Sequence, residues 1–209
     1  MSLQESLAWR YATKKFDASK KIDADKLNNL LQTTKLAPSS YGLQHYEIVV
    51  VEDTDVRERL KEAAYGQAQL TDASHVIVFA AETKIDEDYV KRYIDETAAT
   101  RQMDREKLAD FEKTILGAIS RQSDEQKLNW SHKQAYLALG VLIGAASELR
   151  IDTCPMEGYD GGKFDEILRL KEKGLTTSVI VTIGYRAEDD QYGKLAKVRK
   201  KDEDLFIKI

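Results

Sequence analysis

The sequence has little of what disulfide frameworks, metal centres and membrane spans require. Cys154 is the only cysteine in 209 residues, which excludes an intramolecular disulfide and a cysteine-based zinc site. The three histidines, His45, His75 and His132, lie far apart without the spacing of a ligand set, so a metal enzyme is not expected. No apolar run reaches the roughly 18 residues that a membrane helix needs.

Signals for export and for nucleic-acid binding are also missing. The N-terminus, Met1 to Glu5, has neither the basic start nor the apolar segment of a secretion signal, so we expect a cytoplasmic protein. The formal net charge of -4 argues against nucleic acid as the main partner, because phosphate backbones require a basic surface. A local basic cluster could still bind one small anion.

Common catalytic motifs are absent as well. There is no Gly-x-Gly-x-x-Gly after a strand and no phosphate loop ending in Gly-Lys-Ser/Thr, so a Rossmann dinucleotide site is not supported. Cys154 could be a nucleophile, but no histidine or acid is tied to it by a local motif. We therefore expect it to be a small buried residue ahead of a turn.

Apolar residues follow strand or helix spacing through most of the chain. Its length and a hydrophobic fraction of 42% predict one domain over residues 1–209. Asp23 caps a predicted helix, and Ile22 and Leu27 are placed for a hydrophobic staple across that cap. Buried strands are predicted at 46–51, 76–81 and 177–184. Helices are predicted from Asp23 to near Pro38, over 56–64, on both sides of Met103 within 86–122, and over 131–149.

Two of these segments carry unusual side chains. The helix over 131–149 is small-sided nearly all round, with Gly140 and Gly144, so we expect it to be buried on most faces, packed against its own chain or a partner. The apolar C-terminus from Leu205 to Ile209 is predicted to add a strand to a sheet, in this chain or in a partner.

Two basic pairs lie at opposite ends of the sequence. Arg10 and Lys14 are near the N-terminus, and Lys197 and Arg199 are near the C-terminus. Either pair alone is typical of solvated surface charges. Three neutral loops, however, occur between them in the chain, at 38–44, 63–69 and 155–159.

In this order and combination, the five segments resemble the nitroreductase family of FMN-dependent reductases, from Arg10 to Arg199. The resemblance implies an α+β fold, in which helices wrap a mainly antiparallel central sheet, and an intertwined homodimer with a flavin at each interface site. It also implies FMN as the cofactor, NADH or NADPH as the hydride donor, and ping-pong reduction of a small electron-poor acceptor, such as a nitroaromatic, a quinone or a pterin. The alternative is a non-catalytic flavin-binding sensor or carrier.

The resemblance also assigns roles to residues. By similarity Arg10, Lys197 and Arg199 bind the phosphate, and Lys14 lies near flavin N1 and O2, where negative charge develops on reduction. The backbone N–H near Glu157 or Gly158 is expected to donate to flavin N5, so Lys14 and Glu157 are the predicted catalytic positions. The other predicted cofactor contacts are Tyr11, Ala12, Pro38, Ser39, Ser40, Gln67, Gln69, Pro155 and Met156.

The sequence departs from the family pattern at a few positions. Gln67 and Gln69 align with a segment that carries a second lysine in many relatives, so we expect amide contacts to the pyrimidine edge or ribityl chain and a flavin that is less easily reduced. His45 and Tyr46 replace the proline and tryptophan of a Gln-Pro-Trp motif, and Ala12 replaces a hydroxyl residue. We expect His45 at the surface, with a substrate contact as the alternative. The sequence does not determine the acceptor or a preference for NADH over NADPH.

Overall fold

Four antiparallel strands form the central sheet of the computed structural model, which describes residues 2–209. The strands are β1 (Tyr46–Val51), β2 (His75–Glu82), β3 (Asp152–Met156) and β4 (Leu175–Gly184). They are arranged in the order β1-β2-β4-β3. The helices are α1 (Leu3–Trp9), α2 (Ala24–Lys35), α3 (Thr54–Ala63), α4 (Gln69–Asp72), α5 (Glu87–Arg101), α6 (Ala109–Ile119), α7 (Asp124–Glu148), α8 (Gly161–Ile167) and α9 (Asp202–Leu205).

Helices cover both faces of this sheet. Ile77 and Phe79 of β2 belong to an apolar cluster with residues of α2 and α7, whereas Val76 and Val78 belong to a second cluster with residues of α3 and α8. Successive side chains of a strand point to opposite faces, so burial on both faces requires a continuous apolar run. The three predicted strands are confirmed. Among the described residues, no helix is long and apolar enough to cross a membrane.

The start of α2 agrees with the sequence pattern. The Asp23 carboxylate accepts a hydrogen bond of 2.8 Å from the backbone N–H of Lys26. Ile22 and Leu27 are buried in the same apolar cluster, as a hydrophobic staple requires. A cap of this kind stabilises a helix by about 1 kcal/mol.

The charged region after β2 forms its own small core. The chain leaves α5 at Gln102, which adopts a left-handed conformation with φ 51°. A short 3-10 turn then leads into α6. Val90 and Ile94 of α5 pack against Ile115 of α6, while the charged side chains face solvent. The prediction of two helices separated near Met103 is confirmed.

The long helix α7 differs from its prediction in two ways. It begins at Asp124 rather than Ser131, because Ser123 and Gln126 form a capping box that the sequence contained. Within the single chain α7 is not buried on most faces, and its burial against a partner stays a prediction. The face with Ala138 packs on the sheet, but Leu137 and Gly140 on the other side are exposed. One face of α7 is therefore uncovered.

Strand β3 was not predicted, and because of it the turn begins later in the chain than expected. Pro155 and Met156, expected in a loop, pair with Val181 and Ile180 of β4. Because β3 lies at the edge of the sheet, Pro155 can occupy it without a backbone N–H. Cys154 is buried in this strand, and burial raises the pKa of its thiol, so the prediction of a small buried residue is confirmed.

The C-terminal segment does not extend the chain's own sheet. The short helix α9 ends at Leu205, and residues 206–209 have no regular structure and are exposed. The expectation of a strand within the same chain is wrong. Consecutive apolar side chains there have nothing in this chain to pack against. Pairing with a partner's sheet stays a prediction.

Candidate functional site

A pocket of about 310 Å³ lies where the two ends of the chain meet. Ala12 forms a parallel bridge with Thr153 of β3, and the N–H of Thr13 donates to the Thr153 carbonyl at 3.2 Å. The pocket is lined by Arg10, Tyr11, Ala12, Lys14, Tyr192, Leu195, Ala196, Lys197 and Arg199. The structure thus brings together the two basic pairs that the sequence separates.

Positive charge dominates this pocket. Burial and the neighbouring Arg199 lower the pKa of the Arg10 guanidinium. Burial, Arg10 and Arg199 likewise lower the pKa of the Lys197 ammonium. The Nε atom of Arg10 is buried and has no hydrogen-bond partner within residues 2–209. Like charges at close range favour binding of an anion, and a phosphate would supply both the charge and the missing acceptor.

The basic residues of the tail are held by backbone oxygens. The Lys197 ammonium donates to the carbonyl of Ala8 at 2.6 Å. The Arg199 guanidinium donates to the carbonyl of Val198 at 2.7 Å. Neither contact neutralises a positive charge, so both cations keep their full attraction for an anion.

The rings of Trp9 and Tyr11 stack on the Arg186 guanidinium next to the pocket. The Arg186 guanidinium lies 4.3 Å from the centroid of the Trp9 ring and 4.6 Å from that of Tyr11. Its Nε donates to the buried Asp152 carboxylate at 2.8 Å. Stacking and ion pairing fix the position of Tyr11, which lines the pocket. Sequence reasoning missed Trp9, Asp152 and Arg186, because no local motif links residues so far apart.

A second buried carboxylate, Asp190, contacts the pocket walls. It accepts hydrogen bonds from the Tyr11 hydroxyl at 2.9 Å and from the backbone N–H groups of Lys14 and Lys15 at 2.9 and 3.1 Å. Burial and the bond to Asp190 raise the pKa of Tyr11 to about 12, so its phenol stays protonated at neutral pH. Sequence reasoning missed Asp190 as well.

The turn after β3 forms a separate group of contacts. The Tyr136 hydroxyl of α7 donates to the Glu157 carboxylate at 2.6 Å. The Gln67 amide N–H₂ donates to the carbonyl oxygens of Gly158 at 2.7 Å and Ala64 at 3.0 Å. Only the amide oxygen of Gln67 is then left for a ligand. Within residues 2–209, the backbone N–H groups of Glu157 and Gly158 have no hydrogen-bond acceptor.

Other predicted site residues lie outside the basic pocket. The Pro38 loop is tied to α7 by the backbone N–H of Ser40, which donates to the Gln134 side chain at 3.0 Å. The Ser39 hydroxyl accepts from the N–H of Gln44 at 2.9 Å. Gln69 begins α4. The contribution of Pro38, Ser39 and Ser40 to a partner's site stays a prediction.

His45 is not at the surface, so that expectation is wrong. The side chain is fully buried, with its ring centroid 4.3 Å from that of Trp130. Burial lowers the pKa of His45 to about 4, which keeps the ring neutral. An apolar aromatic neighbour and a neutral imidazole pack together without a charge to solvate. His45, which directly precedes β1 in the chain, is thus packed in the protein interior.

The fold and the pocket define an α+β protein with a cluster of cations at the edge of an antiparallel sheet. A sequence profile described as "Nitroreductase family" matches residues 7–185. The protein YfkO of Bacillus subtilis is 37% identical over 213 residues, which cover 94% of this chain and 92% of that protein. The oxygen-insensitive NAD(P)H nitroreductase of Enterobacter cloacae is 31% identical, with 91% of each chain covered.

A solved structure has the same fold. A protein of Exiguobacterium sibiricum in complex with FMN superposes with a TM-score of 0.85, at 19% identity, over 100% of this chain and 98% of the other. The chain belongs to the nitroreductase family. The family and the α+β fold predicted from the sequence are confirmed.

Proposed function

We propose that the protein is an oxidoreductase that binds FMN and transfers hydride from NADH or NADPH to an electron-poor organic acceptor. The basic pocket carries this proposal, because Arg10, Lys14, Lys197 and Arg199 converge there and a buried guanidinium nitrogen has no partner among residues 2–209. The relatives named as NAD(P)H nitroreductases and the FMN-bound structural neighbour support the same chemistry.

The residues present fit an FMN phosphate. Arg10 and Arg199 offer forked donors that match phosphate oxygens, and Lys197 adds a compact positive charge. Lys14 lines the same pocket and would place its ammonium where the reduced flavin carries negative charge. The free N–H groups at Glu157 and Gly158 would donate toward flavin N5.

The chemistry requires no side-chain nucleophile. FMN held by Arg10, Lys197 and Arg199 would supply hydride chemistry between NADH or NADPH and a nitroaromatic, quinone or pterin, in a ping-pong order. The chain's own contribution is to hold the phosphate, to place Lys14 beside the pocket and to orient the turn after β3. Positioning and charge stabilisation of this kind are sufficient for hydride transfer between two bound partners.

A homodimer is part of the same proposal. The outer face of α7 exposes Tyr136, Leu137 and Gly140, and a methyl group added at Gly140 would meet no atom within 4 Å. Small residues allow another helix to approach closely. Sedimentation of the flavin-bound protein at micromolar concentration should give a dimer, and a folded flavin-bound monomer would contradict this part of the proposal.

Anaerobic absorbance spectroscopy tests the function directly. The purified or reconstituted protein should be yellow, should release FMN rather than FAD on denaturation, and should lose its flavin absorbance on addition of NADH or NADPH. Absence of flavin would contradict the proposal, and a flavin that neither nucleotide reduces would indicate a non-catalytic binder. Arg10→Gln should retain much less FMN than Lys171→Gln, which removes an exposed cation that does not line the pocket.

A further inference from the structure

Asp190 is buried just outside the basic pocket, at only 5% exposure. One oxygen, Oδ2, accepts hydrogen bonds from the Tyr11 hydroxyl and from the N–H groups of Lys14 and Lys15. The other oxygen, Oδ1, accepts from the N–H of Tyr192 at 3.1 Å. Four protein donors thus surround the carboxylate, three at Oδ2 and one at Oδ1.

These donors belong to the two segments that form the pocket. Tyr11 and Lys14 line it from the N-terminal side, and Tyr192 lines it from the C-terminal side. Asp190 itself does not line the pocket, so its influence on a ligand must act through these residues. It is also one of the residues that connect the start of the chain with the segment leading to Lys197 and Arg199.

The hydrogen bonds of Asp190 restrict the positions of the residues that donate them. A carboxylate that fixes the N–H of Lys14 also fixes the Cα from which the Lys14 side chain extends, although that side chain is itself exposed. The Tyr11 hydroxyl donates its only proton to Asp190, so toward a ligand in the pocket it can act only as an acceptor. Charge-assisted bonds of this type are about twice as strong as neutral ones.

We propose that Asp190 is a positioning residue of the flavin site, which places Lys14 beside the isoalloxazine and holds the tail that carries Lys197 and Arg199 at the phosphate. This inference rests on the proposed function, because it assigns FMN to the pocket. It adds a residue that contacts neither cofactor nor substrate. The carboxylate acts by holding two distant segments of the chain in one geometry.

The variants Asp190→Asn and Asp189→Asn form a matched pair. Each replaces a carboxylate with an amide, but the Asp189 carboxylate is exposed and pairs with the exposed Lys15 ammonium, at 2.6 Å. In Asp190→Asn the new N–H₂ group must face at least one N–H or O–H donor, whichever way the amide is turned. Three measurements are made on each protein: FMN affinity by titration of the apoprotein, midpoint potential of the bound flavin at saturating FMN, and thermal unfolding of the apoprotein.

We expect Asp190→Asn to weaken FMN binding by at least about tenfold, the effect of losing a charge-assisted contact. Its bound flavin should also have a lower midpoint potential, because the Lys14 ammonium is no longer held in place. Asp189→Asn should match the wild type in both. If Asp190→Asn lowers only the unfolding temperature and keeps the wild-type affinity and potential, Asp190 is merely structural and the inference is wrong.

The result for the wild type separates this inference from the function itself. A wild-type protein that binds no FMN overturns both, whereas a wild type that binds FMN beside an Asp190→Asn variant of equal affinity and potential overturns the inference alone. If Asp190→Asn does not fold, Tyr11→Phe removes one of the four donors with little change in shape. It should weaken FMN binding by about two- to fivefold, and an unchanged affinity would contradict the inference.

Discussion

The central sheet and the segment 191–209 are ordered in opposite ways. Every residue from Val76 to Ala81 is fully buried, while every residue of 191–209 is exposed. The sheet is stabilised by its own apolar burial, at about 1.5–3 kcal/mol for each large side chain. The tail is held by a few polar contacts, such as the bond from Lys197 to Ala8. We therefore expect folding to depend on the sheet and the proposed ligand binding to depend on the tail.

The largest expected effect comes from opening a cavity in the sheet. Phe79→Ala removes a fully buried ring of β2 and should lower the free energy of unfolding by about 3–5 kcal/mol. Val198→Ala, in the exposed tail, should change it by less than about 0.5 kcal/mol. Urea denaturation of both variants measures the difference. Equal losses would show that the tail contributes to folding as the sheet does.

A pH dependence of folding should come from His45, which lies directly before β1. Burial lowers its pKa from 6.5 to about 4. Between these values the unfolded chain binds a proton that the folded chain does not, so stability should fall as the pH is lowered from about 6.5 to about 4. The contribution of His45 over this interval is on the order of 3 kcal/mol.

His45→Phe should remove this contribution, since phenylalanine does not titrate and can keep the ring contact with Trp130. Denaturation curves of both proteins between about pH 7 and pH 4 test this, because the other titrating groups cancel in the difference. The variant should lose less stability on acidification than the wild type. Parallel curves would mean that His45 does not resist protonation in the folded protein.

In the tail, Arg199→Ala should weaken FMN binding far more than it slows reduction of the flavin that remains bound. Loss of one charged contact to phosphate costs about 1.5–3 kcal/mol, or roughly ten- to a hundredfold in affinity. This contact is equal before and after reduction, so it changes occupancy and not the chemical barrier. Lys200→Ala removes the next cation, which does not line the pocket, and should leave the affinity unchanged.

Lys14→Ala should show the opposite balance, because the proposed function places its charge where negative charge develops on the reduced flavin. Flavin titration and stopped-flow bleaching by NADH or NADPH, on variants saturated with FMN, separate the two effects. If the Arg199→Ala protein binds FMN with wild-type affinity, the assignment of Arg199 to the phosphate is wrong. The assignment is also wrong if the Arg199→Ala protein, saturated with FMN, is reduced as poorly as the Lys14 variant.

The smallest expected effect comes from Gly193→Ala. A methyl group there would lie 3.1 Å from the Tyr11 ring, which Asp190 and Arg186 hold in place. The tail must therefore shift, and FMN affinity should fall by about two- to fivefold while unfolding stays within about 0.5 kcal/mol. Gly117→Ala, with open space around it, should leave the affinity unchanged. Identical FMN affinities for the two variants would show that the tail is not held against Tyr11.

The parts of the fold that sequence could predict are those with a strong apolar pattern. Strands β1, β2 and β4 contain β-branched runs, so their position followed from composition and length. Strand β3 has no such run, because it lies at the edge and includes Asp152, Thr153 and Pro155. Burial of His45 could not be foreseen either, since it depends on Trp130, which is distant in sequence.

The residues of the candidate site also fall into two groups, those that the sequence could predict and those that it could not. The cations Arg10, Lys14, Lys197 and Arg199 were identified by resemblance to a family, and the structure places them around one pocket. Asp190, which connects both sides, carries no local signal. Its partners at Tyr11 and Lys14 precede it by almost the whole chain, and only the folded structure brings them together.

The contact between Lys197 and Ala8 has a consequence for synthesis of the protein. Residues 8 and 197 are joined only after nearly all of the chain has been translated, and β4, which completes the centre of the sheet, also comes late. A nascent chain that is still inside the ribosomal exit tunnel at residue 190 cannot assemble the basic pocket. The basic pocket can therefore form only after Lys197 has left the exit tunnel, so any ligand that needs both ends of the pocket binds after that point.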